Sequence, residues 1–185
     1  MLADEQEFLQ RVRQLDEDAL SELFSTYYPA IYRHILRHVG HQRAAEDMAA
    51  EVFRRLLDQL GRGSGPTSSL KAWMYRVAIN LVVDDSRRQS FRQHAELDED
   101  LAHDGPPVEE AAHQLLLAEA AQQALLSLTP KQRTVLVLRY LDGFNLPETA
   151  EIMGLAITAV KALQHRGLVA LRRELEHLVQ QGESV

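Results

Sequence analysis

Lys161, His165 and Arg166 follow Thr158 at helical steps, while Val160, Leu163, Gly167, Leu168 and Leu171 form an apolar stripe on the same segment. A helix that is apolar behind and cationic in front suits contact with phosphates and base edges. Thr158 is the nearby hydroxyl able to accept the free amides at its start. Upstream, Asn145 can cap a shorter helix with Glu148 at its third position, Pro147 in its first turn and Gly154 as its stop. Two helices joined by Leu155-Ala156-Ile157 must cross steeply, which is the build of a helix-turn-helix whose second helix enters the major groove. Thr129 and Pro130 open a preceding helix with apolar Val135, Leu136, Leu138 and Leu141, and Gly143 closes it.

A second constellation lies upstream. Arg76, Asn80, Asp84, Arg87 and Arg88 recur at three- and four-residue steps, so several share one helix face. An amide and several guanidinium groups beside aromatic rings suit single-stranded DNA, because phosphates need cations and unstacked bases need flat or hydrogen-bonding surfaces. Trp73 by itself reads as a core residue, with Met74, Val77, Leu81 and Val82. The segment before this helix, GRGSGPTSS over Gly61 to Ser69, is too rich in Gly, Ser and Pro for helix or strand and reads as a loop.

Helices must position both groups. Phe8, Val12 and Leu15, continued by Leu20, Leu23, Phe24, Tyr27, Ile31 and Ile35, have helical spacing up to a break at Gly40, with Pro29 expected to kink the run. From about Gln42 to Leu60, a second helix is expected to bury Ala45, Met48, Ala49, Val52, Phe53, Leu56 and Leu57 and to expose Glu46, Asp47, Glu51, Arg54 and Arg55. The third runs from about Leu70 to Gln93. From Phe91 to about Val108 periodicity is lost and acids accumulate around Gly105, Pro106 and Pro107, the composition of a solvated linker. Helical character resumes over Ala111 to Ser127, and the tail beyond about His177 is expected to fray.

The formal net charge of -7 argues at first against a nucleic-acid partner. However, Glu96, Asp98, Glu99, Asp100, Asp104, Glu109 and Glu110 lie together with no Lys or Arg among them, and these seven acids equal the whole imbalance. The flanking segments are near neutral and free to gather their cations on one face. The absence of cysteine excludes disulfides and thiolate metal sites and is compatible with a reducing cytoplasm. No apolar run is long enough for a bilayer, so no membrane insertion is expected. His34, His38 and His41 stand near Glu46 and Asp47 at steps that suggest a divalent metal, but Gly40 breaks the helix between them and no metal is assigned. Asp84 and Asp85 diverge on a helix, and neither a Gly-rich phosphate loop nor an activated Ser or Cys is present. The chain is not expected to be an enzyme, and no cofactor is expected.

LTPKQRTVLVLRYLDGFNLPETAEIMG followed by AVKALQHRGLVALRREL resembles the C-terminal promoter-reading domain of bacterial sigma factors. FSTYYPAIYRHILRHVG, AAEDMAAEVFRRLLDQL and LKAWMYRVAINLVVDDSRRQ resemble the N-terminal core domain of that family, and the two-domain layout is similar to its extracytoplasmic-function group. The resemblance implies an all-α chain: an N-terminal domain over 1–94, a flexible acidic linker over 95–110 and a C-terminal helix-turn-helix domain over 111–185. It implies binding to core RNA polymerase, with Asp47, Glu51, Phe53 and Arg54 on the clamp helices of the largest subunit and the C-terminal domain on the flap of the second-largest. It also implies that Arg76, Asn80, Asp84, Arg87 and Arg88 read and melt the minus-ten element of promoter DNA. The loop over Gly61 to Ser69 would help capture a flipped base, and the linker would thread toward the RNA exit path. Thr158, Lys161, His165 and Arg166 would read the minus-thirty-five element. An anti-sigma factor and a cytoplasmic location are expected on the same ground. Three positions depart from the family's habit: Leu163, where many members carry a basic residue, Gln164, where many are apolar, and Ile79, where Arg is common. The rival expectations are a duplex-only regulator with an N-terminal sensing or dimerising module, and a helical interaction module with a vestigial helix-turn-helix.

Overall fold

The computed structural model describes residues 2–67, 69–92, 118 and 120–182, and among them every regular element is a helix. The expected linker over 95–110 lies outside the described residues, as does the start of the helix expected from Ala111.

Four helices build the N-terminal body: α1 (Leu2–Arg13), α2 (Glu17–Val39), α3 (Gln42–Gly61) and α4 (Leu70–Arg92). The first run of apolar residues is two helices, not one. Asp16 caps α2 by accepting from the Ala19 amide at 2.8 Å and holds Arg11 Nη2 at 2.7 Å. Leu15 turns the chain there in the left-handed region at φ 59, uncommon outside glycine. In consequence Leu15 is 43% exposed and leaves the stripe to which its spacing assigned it. Pro29 sits inside α2, which continues through it to Gly40; that glycine ends the helix at φ 76 with its N–H on the Leu36 carbonyl. The short turn folds α3 back on α2, and Ala45 and Ala49 let the two approach closely. Val12, Leu23, Ile31, Ile35, Val52, Leu56, Met74 and Ala78 fill the space between the four helices. Ser69 opens α4 by accepting from the Ala72 amide at 3.1 Å. Phe24 and Leu57, both expected inside, are 49% and 47% exposed.

The C-terminal body contains α5 (residues 120–127), α6 (Pro130–Leu136), a single π-helical turn π1 (Val137–Leu141), α7 (Leu146–Met153) and α8 (Ile157–Gly182). Reciprocal boxes open two of these, Thr129 with Gln132 for α6 and Asn145 with Glu148 for α7. Gly154 closes α7 at φ 63. Helix α8 begins at Ile157, so Thr158 lies in its first turn and is not the cap. Gly167 faces α6, where a Cβ would stand 3.2 Å from Leu136 Cγ and 3.4 Å from Gln132 Cβ.

The two bodies share an apolar core. Leu138, Phe144 and Ile152 pack in one cluster with the residues of α1–α4. The Phe144 ring meets Tyr75 edge-on at 4.7 Å and lies under Lys71 Nζ at 4.2 Å. His34 Nδ1 lies 2.6 Å from Asp142 Oδ2, and Arg37 donates to Asp142 Oδ1 at 3.1 Å. His38 Nδ1 donates to the His34 carbonyl at 2.8 Å, and Arg133 donates to the His38 carbonyl at 2.5 Å. His34 and His38 thus serve packing between the bodies.

Burial holds the His38 pKa well below 6.5, helped by charge on His34, Arg133 and Arg37, against a raising contribution from its bond to the His34 carbonyl. The folded state therefore prefers neutral His38, so stability is present above the unfolded pKa and falls as pH drops below about 6.5. Unfolding free energies from urea titrations between about pH 7.5 and pH 5 should decline by up to about 1.4 kcal/mol per pH unit, and His38→Gln should flatten that slope. At the α6–α8 contact, Gly167→Leu forces a side chain against Leu136 and should cost about 1–3 kcal/mol in the same unfolding measurement.

Candidate nucleic-acid interface

On α8 the expected reading residues Thr158, Lys161, His165 and Arg166 are all exposed. They occupy its first three turns, opposite Val160 and Gly167, which are buried. Arg166 Nε donates to the Ala162 carbonyl at 3.3 Å, which holds the guanidinium along its own helix. Leu168, assigned by spacing to the buried stripe, is 41% exposed and lies at its margin. Leu163 is half-buried and packs against Val135, Ala150 and Val160, so its apolar character serves the core. Gln164 donates to Tyr140 Oη at 2.8 Å across the edge of α8. Leu163 is thus accommodated by neighbours within the body, whereas Gln164 is held through its Nε2 alone and leaves its Oε1 buried without a partner.

Helix α4 presents Arg76, Asn80, Asp84, Arg87 and Arg88, all exposed, as the three- and four-residue spacing requires. Between α3 and α4 lies a groove of ≈ 370 Å³ lined by Arg55, Asp58, Gln59, Arg62, Trp73, Arg76, Val77 and Asn80. Trp73 is half-buried: it packs on the core and also lines this groove. An indole, an amide and three guanidinium groups around one open groove can stack a base and neutralise its phosphates. The sequence marked Arg55 only as an exposed residue of the second helix and did not mark Arg62, because both precede α4 and meet its groove only through the α3–α4 packing.

A second cleft, ≈ 510 Å³, runs between the same helix and the C-terminal body, lined on one side by Arg76, Ile79, Asn80 and Val83 and on the other by Pro130, Lys131, Thr134 and residues 151–155. Across it Arg76 Nη2 donates to the Glu151 carbonyl at 3.3 Å. Ile79, where a cation is common in the family, lines this cleft beside the start of α6.

On α3, Asp47 and Arg54 are exposed, and Glu51 is partly so. Arg54 grips Glu51 at 2.6 and 2.7 Å and Asp58 at 2.7 Å, while Arg55 reaches Glu51 at 2.8 Å. Hydrogen bonds from Arg54 and then Arg55 pull the Glu51 pKa down to about 2. Phe53 is a correction: at 6% exposure it lies beneath this face, covered by Phe24 with ring centroids 5.0 Å apart. Phe24, itself stacked on Tyr28 at 4.8 Å, is the ring the surface offers. Its spacing fitted the core as well as the surface, so only the packing separates the two.

Among the described residues no helix is long and apolar enough to cross a membrane. Two family models match the chain, Sigma-70 region 2 over residues 23–92 and Sigma-70 region 4 over residues 118–171. It is 31% identical over 180 residues to the ECF RNA polymerase sigma factor SigW of Bacillus subtilis, covering 92% of this chain and 96% of that one. It is 33% identical to the ECF RNA polymerase sigma factor BldN of Streptomyces coelicolor, covering 91% of this chain and 65% of that one. Its fold is similar to that of CnrH, solved in complex with the cytosolic domain of CnrY, with a TM-score of 0.69 at 20% identity over 96% of this chain and 97% of that one. It is also similar to that of RpoE from Bartonella quintana, solved with the anti-sigma factor NepR, with a TM-score of 0.65 at 18% identity over 84% of this chain and 96% of that one. The chain belongs to the ECF RNA polymerase sigma factors.

Proposed function

We propose that this sigma factor directs core RNA polymerase to its promoters through two DNA contacts on separate bodies. The observation that carries the residue-level reading is the groove of ≈ 370 Å³ in which Trp73, Arg76 and Asn80 meet Arg55 and Arg62. There the minus-ten strand would lay an unstacked base against Trp73 and Asn80 and its phosphates along Arg76, Arg87 and Arg88; capture offsets an unstacking cost of a few kcal/mol per step. Asp84, on the same face, would accept from a base amino group. The exposed first turns of α8 would enter the major groove of the minus-thirty-five duplex, with Lys161 and Arg166 on phosphate or guanine and Thr158 and His165 on neighbouring edges.

Asp47, Glu51 and Arg54 would meet the clamp helices of the largest polymerase subunit, with Phe24 as the apolar contact in place of Phe53. The C-terminal body would dock on the flap of the second-largest subunit. The polymerase then performs the chemistry and the chain supplies recognition, in the cytoplasm. The complexes of RpoE with NepR and of CnrH with CnrY support an inhibitory protein as a further partner.

Transcription by core polymerase with and without the chain, with permanganate marking unpaired thymines, tests the reading; a chain that binds its site equally well without polymerase would be a duplex-only regulator. Asn80→Ala should leave duplex binding intact and lower permanganate reactivity, by a loss of about 1–3 kcal/mol for one hydrogen-bonded base contact. Lys161→Ala and Arg166→Ala should weaken promoter binding, and a lost phosphate contact would reduce the salt slope by about 1. Binding unchanged by either substitution removes that residue from the interface.

A further inference from the structure

A third pocket, ≈ 380 Å³, lies between α2, the start of α4 and the π turn, and none of the promoter or polymerase contacts uses it. Thr26, Tyr27, Arg33 and Arg37 line it from α2, and Lys71 and Tyr75 from α4. Arg33 and Arg37 stand one turn apart, and Lys71 occupies the first turn of α4, where the helix dipole adds positive potential. Among the described residues the lining contains one acid, Asp142, whose oxygens already hold His34 at 2.6 Å and Arg37 at 3.1 Å. Neither Arg33 nor Lys71 has a carboxylate within ion-pair distance among the described residues. Lys71 Nζ sits 4.2 Å over the Phe144 ring, which fixes the ammonium without neutralising it. Positive charge is therefore concentrated here on a chain whose formal net charge is -7.

The neutral groups point the same way. Burial, and then the Asp142 carboxylate, push the Tyr75 pKa upward, so its phenol stays protonated and can donate. Thr26 and Tyr27 add hydroxyls at the rim. A donor-rich pocket with three cations suits an anion with many acceptor oxygens, and more than one phosphoryl group. Leu141, 48% exposed, and the half-buried Tyr27 ring give the same pocket an apolar edge. Its volume falls within the range of small-molecule sites. We propose that this pocket binds a nucleoside polyphosphate, with its phosphates on Arg33, Arg37 and Lys71 and its base against Tyr27 and Leu141. The inference goes beyond the promoter reading and does not depend on it.

Isothermal calorimetry on the full chain, with ATP, ADP, AMP and inorganic pyrophosphate as probes, tests the site. Saturable binding at one site per chain is expected, tighter for ATP and ADP than for AMP, and weaker as salt is raised. Arg33→Gln and Lys71→Gln should each weaken ATP binding about tenfold or more, the loss of one charge-assisted contact, while circular dichroism keeps the helical signal. Arg33 is exposed, so its replacement leaves the packing intact. Lys161→Gln, on the exposed face of α8, should leave ATP affinity unchanged. No saturation at millimolar ATP, or affinity unchanged by both pocket substitutions, overturns the site. Loss on Lys161→Gln alone puts the anion on the duplex-reading face and overturns it as well. Pyrophosphate bound as tightly as ATP overturns the base contact with Tyr27 and Leu141 and upholds the phosphate contacts. None of these readouts involves polymerase or promoter, so their failure is distinct from failure of the promoter reading.

Discussion

A carboxylate buried between two helical bodies constrains everything around it. Asp142 loses nearly all its water at the seam, and a charge in that position is tolerated only when paired and hydrogen-bonded. Its partners are one turn apart on α2, at His34 and Arg37, so only one placement of the C-terminal body satisfies both oxygens. That placement sets Phe144 against Tyr75 and Arg133 against the end of α2, and it lays α7 beside α4. A buried ion pair adds little stability over a well-packed apolar substitute, but it penalises every misdocked arrangement.

The apolar contribution is distributed unevenly. The N-terminal body encloses its own core, with Val12, Ile31, Ile35, Ala45, Ala49, Val52, Leu56 and Met74 all fully buried. The C-terminal body has a much smaller private cluster of Val135, Ala150 and Val160, with Leu146, Met153, Leu155 and Leu163 packed around it. Leu128, Leu136 and Val137 are also buried, while Leu138, Phe144 and Ile152 are buried against the other body. Small helical units gain little from a core of that size. Docking on α2 and α4 therefore completes the C-terminal core, and a duplex or a polymerase surface that draws this body away must compensate for the apolar area it exposes.

Much of this was legible in the residues. Gly40, Asn145 with Glu148, Thr129 with Pro130, and Gly154 marked helix ends where they occur, because capping is local chemistry within a few residues. The exposed faces at Arg76, Asn80 and Asp84 and at Lys161, His165 and Arg166 followed from helical period alone. Periodicity could not choose between Phe24 and Phe53, since both fit an apolar stripe and the outcome depends on which ring α2 lays over α3. The break at Asp16 was hidden because Leu15 takes a left-handed backbone that its side chain disfavours. Nor did spacing reveal the π turn or the pairing of His34 with Asp142, which are 108 residues apart. Histidines near acids in sequence suggested a metal; in the fold, the acid that His34 meets comes from the other end of the chain.

The shared core leaves the polar faces of α4 and α8 largely exposed. Asn80 and Lys161 stay exposed even though the halves share a core, and the groove around Trp73 remains on the surface. The residues that the seam does engage, Arg76 through Glu151 and Ile79 through the cleft to α6, lie on the flank of α4 nearest the helix-turn-helix. Separating the two bodies is costly, because each Å² of Phe144 and Leu138 returned to water opposes it.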